Sequence, residues 1–283
     1  MEKAIRKYWP VFVLPTLVAF IIGFLWPFIW GIYLSLCKFQ TVDKVSFVGF
    51  SNYMKVFLDA SFVHAFWFTA LFTITSTLII NIAAFGVALL LTRKVKGTNL
   101  FRTIFFMPNL IGGIVLGYIW QSLLNGLLSK WGWPLLALSE KEGFWGLIIL
   151  MAWQQIGYMM IIYIAGLQNV SPDLIEAAEI DGADAWQTLF RIKVPMVMPS
   201  ITICTFLTLT NSFKLFDQNL SLTNGEPAKN TQMLAMNIYD TFYSRSGAQW
   251  KGIGQAKAVI FFLVVVVISL IQLRFTKSRE VQA

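Results

Sequence analysis

The sequence predicts an all-α membrane protein with six transmembrane helices. Three observations carry that prediction. Hydrophobic residues make up 57% of the 283-residue chain and charged residues only 13%, about half the charged share with which a soluble domain coats its surface. Mean hydropathy is +0.67. Apolar runs of about 20 residues or more recur along the chain, each long enough to cross the hydrocarbon core as a helix that satisfies its own backbone.

The first run covers residues 10–36, after a segment holding Lys3, Arg6 and Lys7. It exceeds the apolar core of a signal peptide and lacks a clear small-residue cleavage site, so it reads as a retained span. Trp9, Trp26 and Trp30 are its interface anchors. Residues 38–63 mix charge, glycine and aromatics and read as an outer loop with one surface helix. Residues 1–63 thus form an N-terminal span with its outer loop, and 64–283 a five-helix core. The second span, 64–91, is followed by the short basic segment TRKVKGTNLFR. The third, 103–124, contains Pro108, Gly112, Gly113 and Gly117, which predict a kinked or closely packed helix. A loop with Trp131 and Trp133 leads to the fourth span, 144–167. The fifth, 200–220, is followed by some thirty loop residues including Asn224, Gly225, Glu226 and Pro227. The sixth is 253–275, with Arg274, Lys277 and Arg279 at its end.

Between the fourth and fifth spans lies an elbow, 171–199, too polar to enter a bilayer. Ser171 is placed to cap a first short helix, with Pro172 at its first position and Asp173 and Glu176 at its positive end. Gly182 can stop that helix in the left-handed region. Asp184 can start a second, with Arg191 and Lys193 at its negative end and Pro195 ending it.

Six spans put both termini on one side. The termini, the 2–3 segment and the elbow hold 12 of the 22 Lys and Arg. That excess is small, but the short basic segment beside span 2 and the basic termini place the termini and the elbow in the cytoplasm. The net charge of +8 is scattered among inter-span segments, so it fits an anionic lipid surface and no nucleic acid. Cys37 and Cys204 lie in or near spans without CxxC spacing and read as buried small hydrophobes. His64 alone makes no metal site, and the motifs of nucleotide and zinc enzymes are absent from the sequence. The chain does not read as an enzyme. Any ATPase must be another chain.

Polar residues inside spans are costly, so Asn81, Asn109, Gln121, Gln154, Gln155, Asn211, Lys214, Asp217 and Asn219 face the bundle interior or water. They are helix–helix glue or a polar path. The segment TNSFKLFDQN is the strongest case for a path, because Asn211, Lys214 and Asp217 fall at i,i+3 steps on one helix face, where Lys214 and Asp217 can pair. Phe213 and Phe216, with Tyr118, Trp120 and Trp153, add aromatic surfaces of the kind that stack on sugar rings. The substrate-path candidates are therefore Asn211, Lys214, Phe216, Asp217, Asn219, Tyr118, Gln121 and Trp153.

The elbow reads EAAEIDGADAWQTLFRIKVPMVMP, with Glu176, Ala177, Ala178, Asp181, Gly182, Ile192 and Pro195 at the positions of an EAA loop. It resembles the loop of the membrane subunits of binding-protein-dependent ABC importers. Pro172, Leu174, Asp181-Gly182-Ala183, Trp186-Gln187 and Phe190 are similar to the carbohydrate-uptake class. FVGFSNYMKVF at 47–57 and FDQNLSLTNGEPAKNTQMLAMNIYDTF at 216–242 resemble the first permease of sugar importers of the maltose or multiple-sugar type. The family's usual Gly-Gly-Pro is Gly225-Glu226-Pro227 here, and residues 243–251 are longer than usual. The resemblance implies a type I ABC importer permease fold and the uptake of a di- or oligosaccharide, with a glycerol-phosphate-like or other small polar solute as the alternative; on the residues alone, a stand-alone secondary transporter is the other reading. It implies a second permease, two ABC ATPase subunits that carry the ATP and Mg, an extracellular solute-binding protein, and a multi-pass location in a prokaryotic cytoplasmic membrane. The seven EAA-loop residues would couple to the ATPase. No cofactor is expected in this chain.

Overall fold

The computed structural model describes residues 2–41, 44–93 and 96–280. Two short pieces of helix, α1 (Glu2–Phe20) and α2 (Trp26–Ser35), are joined by a π turn over Ile21–Leu25. The turn sits just before Pro27, whose ring nitrogen has no hydrogen for the helical ladder. A ribbon of β1 (Cys37–Phe39) and β2 (Val45–Phe47) leads to α3 (Ser51–Leu58) and the long α4 (Ala60–Leu91). Then come α5 (Thr98–Phe106), α6 (Gly113–Lys130) and α7 (Glu140–Gln168). The elbow contains α8 (Pro172–Ile180), α9 (Ala185–Thr188) and α10 (Val194–Met196). The chain continues through α11 (Met198–Phe213), α12 (Asp217–Leu222), α13 (Leu234–Tyr239) and α14 (Ala248–Lys277).

Among the described residues, four helical runs are long and apolar enough to cross a membrane: Val11–Ser35, Ala60–Leu91, Glu140–Gln168 and Ala248–Lys277. Two bent pairs pass the same test together, which gives up to six spans where each pair counts as one. The third span is therefore no single kinked helix. Thr98–Leu110 and Gly113–Lys130 meet at 103°, because Pro108 sits in a 3-10 turn and Gly112 leaves the helix in an extended conformation (φ −61°, ψ 139°). The fifth span departs from its expected bounds at both ends. Ala185–Met196 meets Met198–Phe213 at 71°, and the helix stops at Phe213 instead of running to residue 220. The irregular turn that follows lets Phe213 and Leu215 be buried while Lys214 and Asp217 stay exposed, which spares two charges from desolvation.

The chain divides into two compact units. The first comprises Met1–Ala60 and Ile238–Phe262. Its ribbon pairs Cys37 with Phe47 and Phe39 with Val45, so residues 38–63 hold two short strands as well as the expected surface helix. The buried Asn52 amide donates to the carbonyls of Ser35 and Cys37 at 2.8 and 2.9 Å, which ties α3 back to the end of α2. Phe28 meets Phe262 edge-on at 4.9 Å, and the Lys251 ammonium donates to the Gln40 carbonyl at 2.7 Å.

The second unit comprises Ser61–Asn237 and Leu263–Ala283. Its core is built on α4 and α7, with Phe72, Ile80, Leu147, Leu150, Met151 and Met159 fully buried. Polar side chains clamp the helices where apolar packing alone would give no register. The Asn81 amide donates to Thr208 Oγ1 at 2.9 Å and its carbonyl accepts from the Tyr163 hydroxyl at 2.6 Å. The Ser76 and Ser212 hydroxyls share a bond of 2.9 Å. Such bonds strengthen contacts between helices that gain little from apolar surface in lipid.

Candidate functional site

The elbow is locally determined. Ser171 Oγ accepts from the Asp173 N–H at 3.3 Å, so it caps α8 as the sequence predicts. Gly182 has φ +78°, the left-handed conformation that costs a residue with a Cβ about 1–2 kcal/mol. Around it the Gly182 N–H donates to the Glu179 carbonyl at 3.1 Å and the Ala183 N–H to the Ala178 carbonyl at 2.9 Å. These two bonds make a Schellman motif and satisfy the last carbonyls of α8. Asp184 starts α9 with a capping box: its carboxylate accepts from the Gln187 N–H at 2.7 Å, and the Gln187 side chain accepts from the Asp184 N–H at 3.0 Å. Pro195 does not end the second helix. The helical run continues to Met196 and breaks at Val197. The missing proton of Pro195 is absorbed upstream, where Leu189–Lys193 widens into a π turn.

This scaffold sets two faces. Ala178 is buried against the body, while Glu176, Ala177, Asp181 and Gly182 are exposed and Ile192 is half-buried. Glu176 makes no ion pair among the described residues. Beside it the elbow exposes apolar side chains: Ile180 is 86% exposed, Trp186 70% and Phe190 59%. Trp186 and Phe190 stack at 5.8 Å with planes 8° apart. Rigid backbone, an unpaired carboxylate and exposed aromatics together suit docking onto another protein.

The second site is an open cavity of about 300 Å³ at the end of α11. Asn211, Lys214, Phe216 and Asp217 line it together with Gln155, Gln218 and Met151. Four of the eight residues picked from the sequence thus converge. They do so around the break in the span, and the i,i+3 helix face does not exist beyond Phe213. Lys214 and Asp217 form no ion pair among the described residues, which leaves one cation and one anion on the cavity wall. The Asn211 amide reaches Gln155 Oε1 at 3.5 Å.

The other four candidates lie elsewhere. Asn219 is buried and holds the chain beyond α12, donating to the Thr231 carbonyl at 2.8 Å and accepting from the Met233 N–H at 2.9 Å. Gln121 donates to the Leu222 carbonyl at 2.8 Å and joins α6 to α12. Trp153 meets Trp120 edge-on at 5.4 Å, and Tyr118 is exposed. Gln218 was not picked from the sequence. Its amide donates to Gln154 Oε1 at 2.7 Å on the cavity rim, and only its place in FDQN hinted at it. His64 packs against the Asn230 carbonyl at 2.9 Å. Cys37 and Cys204 are free and buried. Among the described residues no three His, Cys, Asp or Glu side chains converge to hold a metal ion.

A polytopic helical chain that offers a stiff surface to a neighbour, and a polar cavity at a broken span, has the design of a membrane transport component. The family of binding-protein-dependent transport system inner membrane components matches residues 8–281, and the chain belongs to that family. It is a permease subunit of an ABC importer and not itself an enzyme. It is 45% identical to a probable starch degradation products transport system permease protein of Thermoanaerobacterium thermosulfurigenes, over 97% of this chain and 95% of that one. It is 30% identical to a multiple sugar-binding transport system permease protein of Streptococcus mutans, over 99% of each. The fold is similar to that in a crystal structure of a bacterial ABC transporter involved in the import of the acidic polysaccharide alginate. There the TM-score is 0.81 at 22% identity, with 98% of each chain covered.

Proposed function

We propose that the chain is one of two different permease subunits of an ATP-driven importer for an oligosaccharide of the kind released from starch. The sugar class rests on the relative named for starch degradation products. The drive rests on one observation: the elbow is capped at both joints and exposes Glu176, Ile180, Trp186 and Phe190 on a frame that cannot easily fold away. In this reading the elbow seats in a groove of one of two ATPase subunits, which bind the ATP and Mg. Glu176 meets a basic group, Ala177 allows close backbone approach, and Gly182 holds the turn. Closure of the ATPase pair pushes the elbow as a lever and switches the cavity between the permeases from one face to the other.

The termini and the elbow then face the cytoplasm of a prokaryotic cell, and residues 221–252 face an extracellular binding protein that delivers the sugar. The cavity around Asn211, Lys214, Phe216 and Asp217 lies on the sugar's path. Its amide and charged groups suit hydroxyls, and Phe216 offers a ring face. The test is uptake of labelled starch-derived oligosaccharides into proteoliposomes holding the whole complex, with ATP inside and binding protein outside. The reading expects uptake that needs both. Uptake without ATP, or of amino acids or peptides in place of sugars, would overturn it.

A further inference from the structure

A second cavity, of about 580 Å³, lies where α4 and α7 end against the elbow. It is lined by apolar Leu89, Leu167 and Ile175 and by charged Arg93, Lys193 and Glu179. Three observations say what it takes. The first is its level. α4 ends at Leu91 and α7 at Gln168, so the cavity sits where two apolar spans stop, at the depth of lipid headgroups. The second is its charge. Two cations face one carboxylate, and none of the three forms an ion pair among the described residues. Two cations against one carboxylate give the lining a net positive charge, which favours an anion. The third is its mixed lining. A small water-soluble phosphate would leave the leucines against water, whereas a ligand anionic at one end and apolar at the other satisfies both parts.

We propose that this cavity seats the headgroup of an anionic phospholipid bearing free hydroxyls, of the phosphatidylglycerol type. The Arg93 guanidinium and the Lys193 ammonium hold the phosphate. The glycerol backbone and the start of the acyl chains lie against Leu89, Leu167 and Ile175. Glu179 would repel a second anion and instead accepts hydrogen bonds from the headgroup hydroxyls. The lining comes from the end of α4 and from both arms of the elbow, so a bound headgroup fastens the elbow to the body of the second unit. Basic pockets at the ends of spans are a recurrent way of recognising such lipids. Trp186 belongs both to this cavity and to the exposed face of the elbow, so the two sites adjoin.

The test is lipid retention by the purified complete transporter, assembled in nanodiscs of phosphatidylcholine and phosphatidylglycerol, extracted into mild detergent and read by native mass spectrometry. The wild type keeps phosphatidylglycerol selectively. The Arg93→Gln/Lys193→Gln variant keeps it roughly 30-fold less well, from removing two juxtamembrane cations. Lys277→Gln, at the end of α14, keeps it like the wild type. Should the double variant fail to assemble, the charge-conserving Arg93→Lys/Lys193→Arg variant still decides, because it must retain the lipid. Equal retention by the wild type and the double variant would overturn the proposal. So would complete displacement of the lipid by soluble glycerol phosphate.

Discussion

Lys257 has no exposed side-chain surface, and its ammonium donates to Asp59 Oδ2 at 2.8 Å and to Thr241 Oγ1 at 2.8 Å. Arg245 stands 3.8 Å from the same carboxylate oxygen and lies over the Trp250 ring at 4.5 Å. A lysine buried in an apolar helix must be paired, and removing one partner leaves the other charge stranded. Lys257→Met should therefore destabilise the first unit by about 3–5 kcal/mol. Lys257→Met with Asp59→Leu should lose much less, since an apolar pair can pack there. Melting of the detergent-solubilised complex reads the difference. Equal losses in the two variants would mean that the ion pair is not what the lysine supplies. Nothing in the sequence marks this pair. The partners are 198 residues apart, and Lys257 is not among the polar residues singled out within the spans. Gly182, by contrast, is legible at once, because its φ is set by bonds within five residues of it.

The same contrast holds for whole elements. The elbow was legible because each of its caps is local: Ser171, Gly182 and Asp184 act on neighbours two to four residues away. Replacing Asp184 by Ala removes the capping box and should cost about 1 kcal/mol. Gly182→Ala has room for its Cβ but must hold a left-handed backbone, at about 1–2 kcal/mol. Hydrogen exchange at the elbow amides should rise in both variants, and unchanged protection would count against the caps as its stiffeners. The breaks in the third and fifth spans were not legible in this way. Pro108 and Gly112 announce a disturbance, but its 103° angle depends on how α5 lies against α7. That packing needs Gly157, where a Cβ would overlap the Phe105 carbonyl. Gly157→Leu should therefore displace α5 and abolish assembly with partner subunits, as read by co-purification. Normal assembly would show that the approach of the two helices is not required.

At the scale of the molecule, composition and apolar run length were enough for the class and for up to six spans, because the bilayer imposes them on any chain it solvates. Composition could not yield the two units, in which residues 238–262 group with the N-terminal segment. Nor could it yield the cavity that collects Gln155 of α7 with residues 211–218. Both depend on contacts across long stretches of sequence. The fifth span is interrupted at both ends of α11. It opens a polar cavity at one end of α11, and at the other end the bend at Val197 joins α11 to the elbow. Force applied at the elbow thus has a helical connection to the cavity 15 residues or so further on.

Coupling between the elbow and the cavity is read by the number of sugars imported per ATP in proteoliposomes carrying Glu176→Lys. The substitution reverses the one exposed elbow carboxylate assigned to a basic partner and leaves both caps and every span intact. Insertion should be normal, with ATP hydrolysis no longer stimulated by the loaded binding protein and uptake reduced at least tenfold, the loss expected from removing one buried charge-assisted contact at an interface. Wild-type uptake per ATP in the Glu176→Lys complex would contradict that coupling.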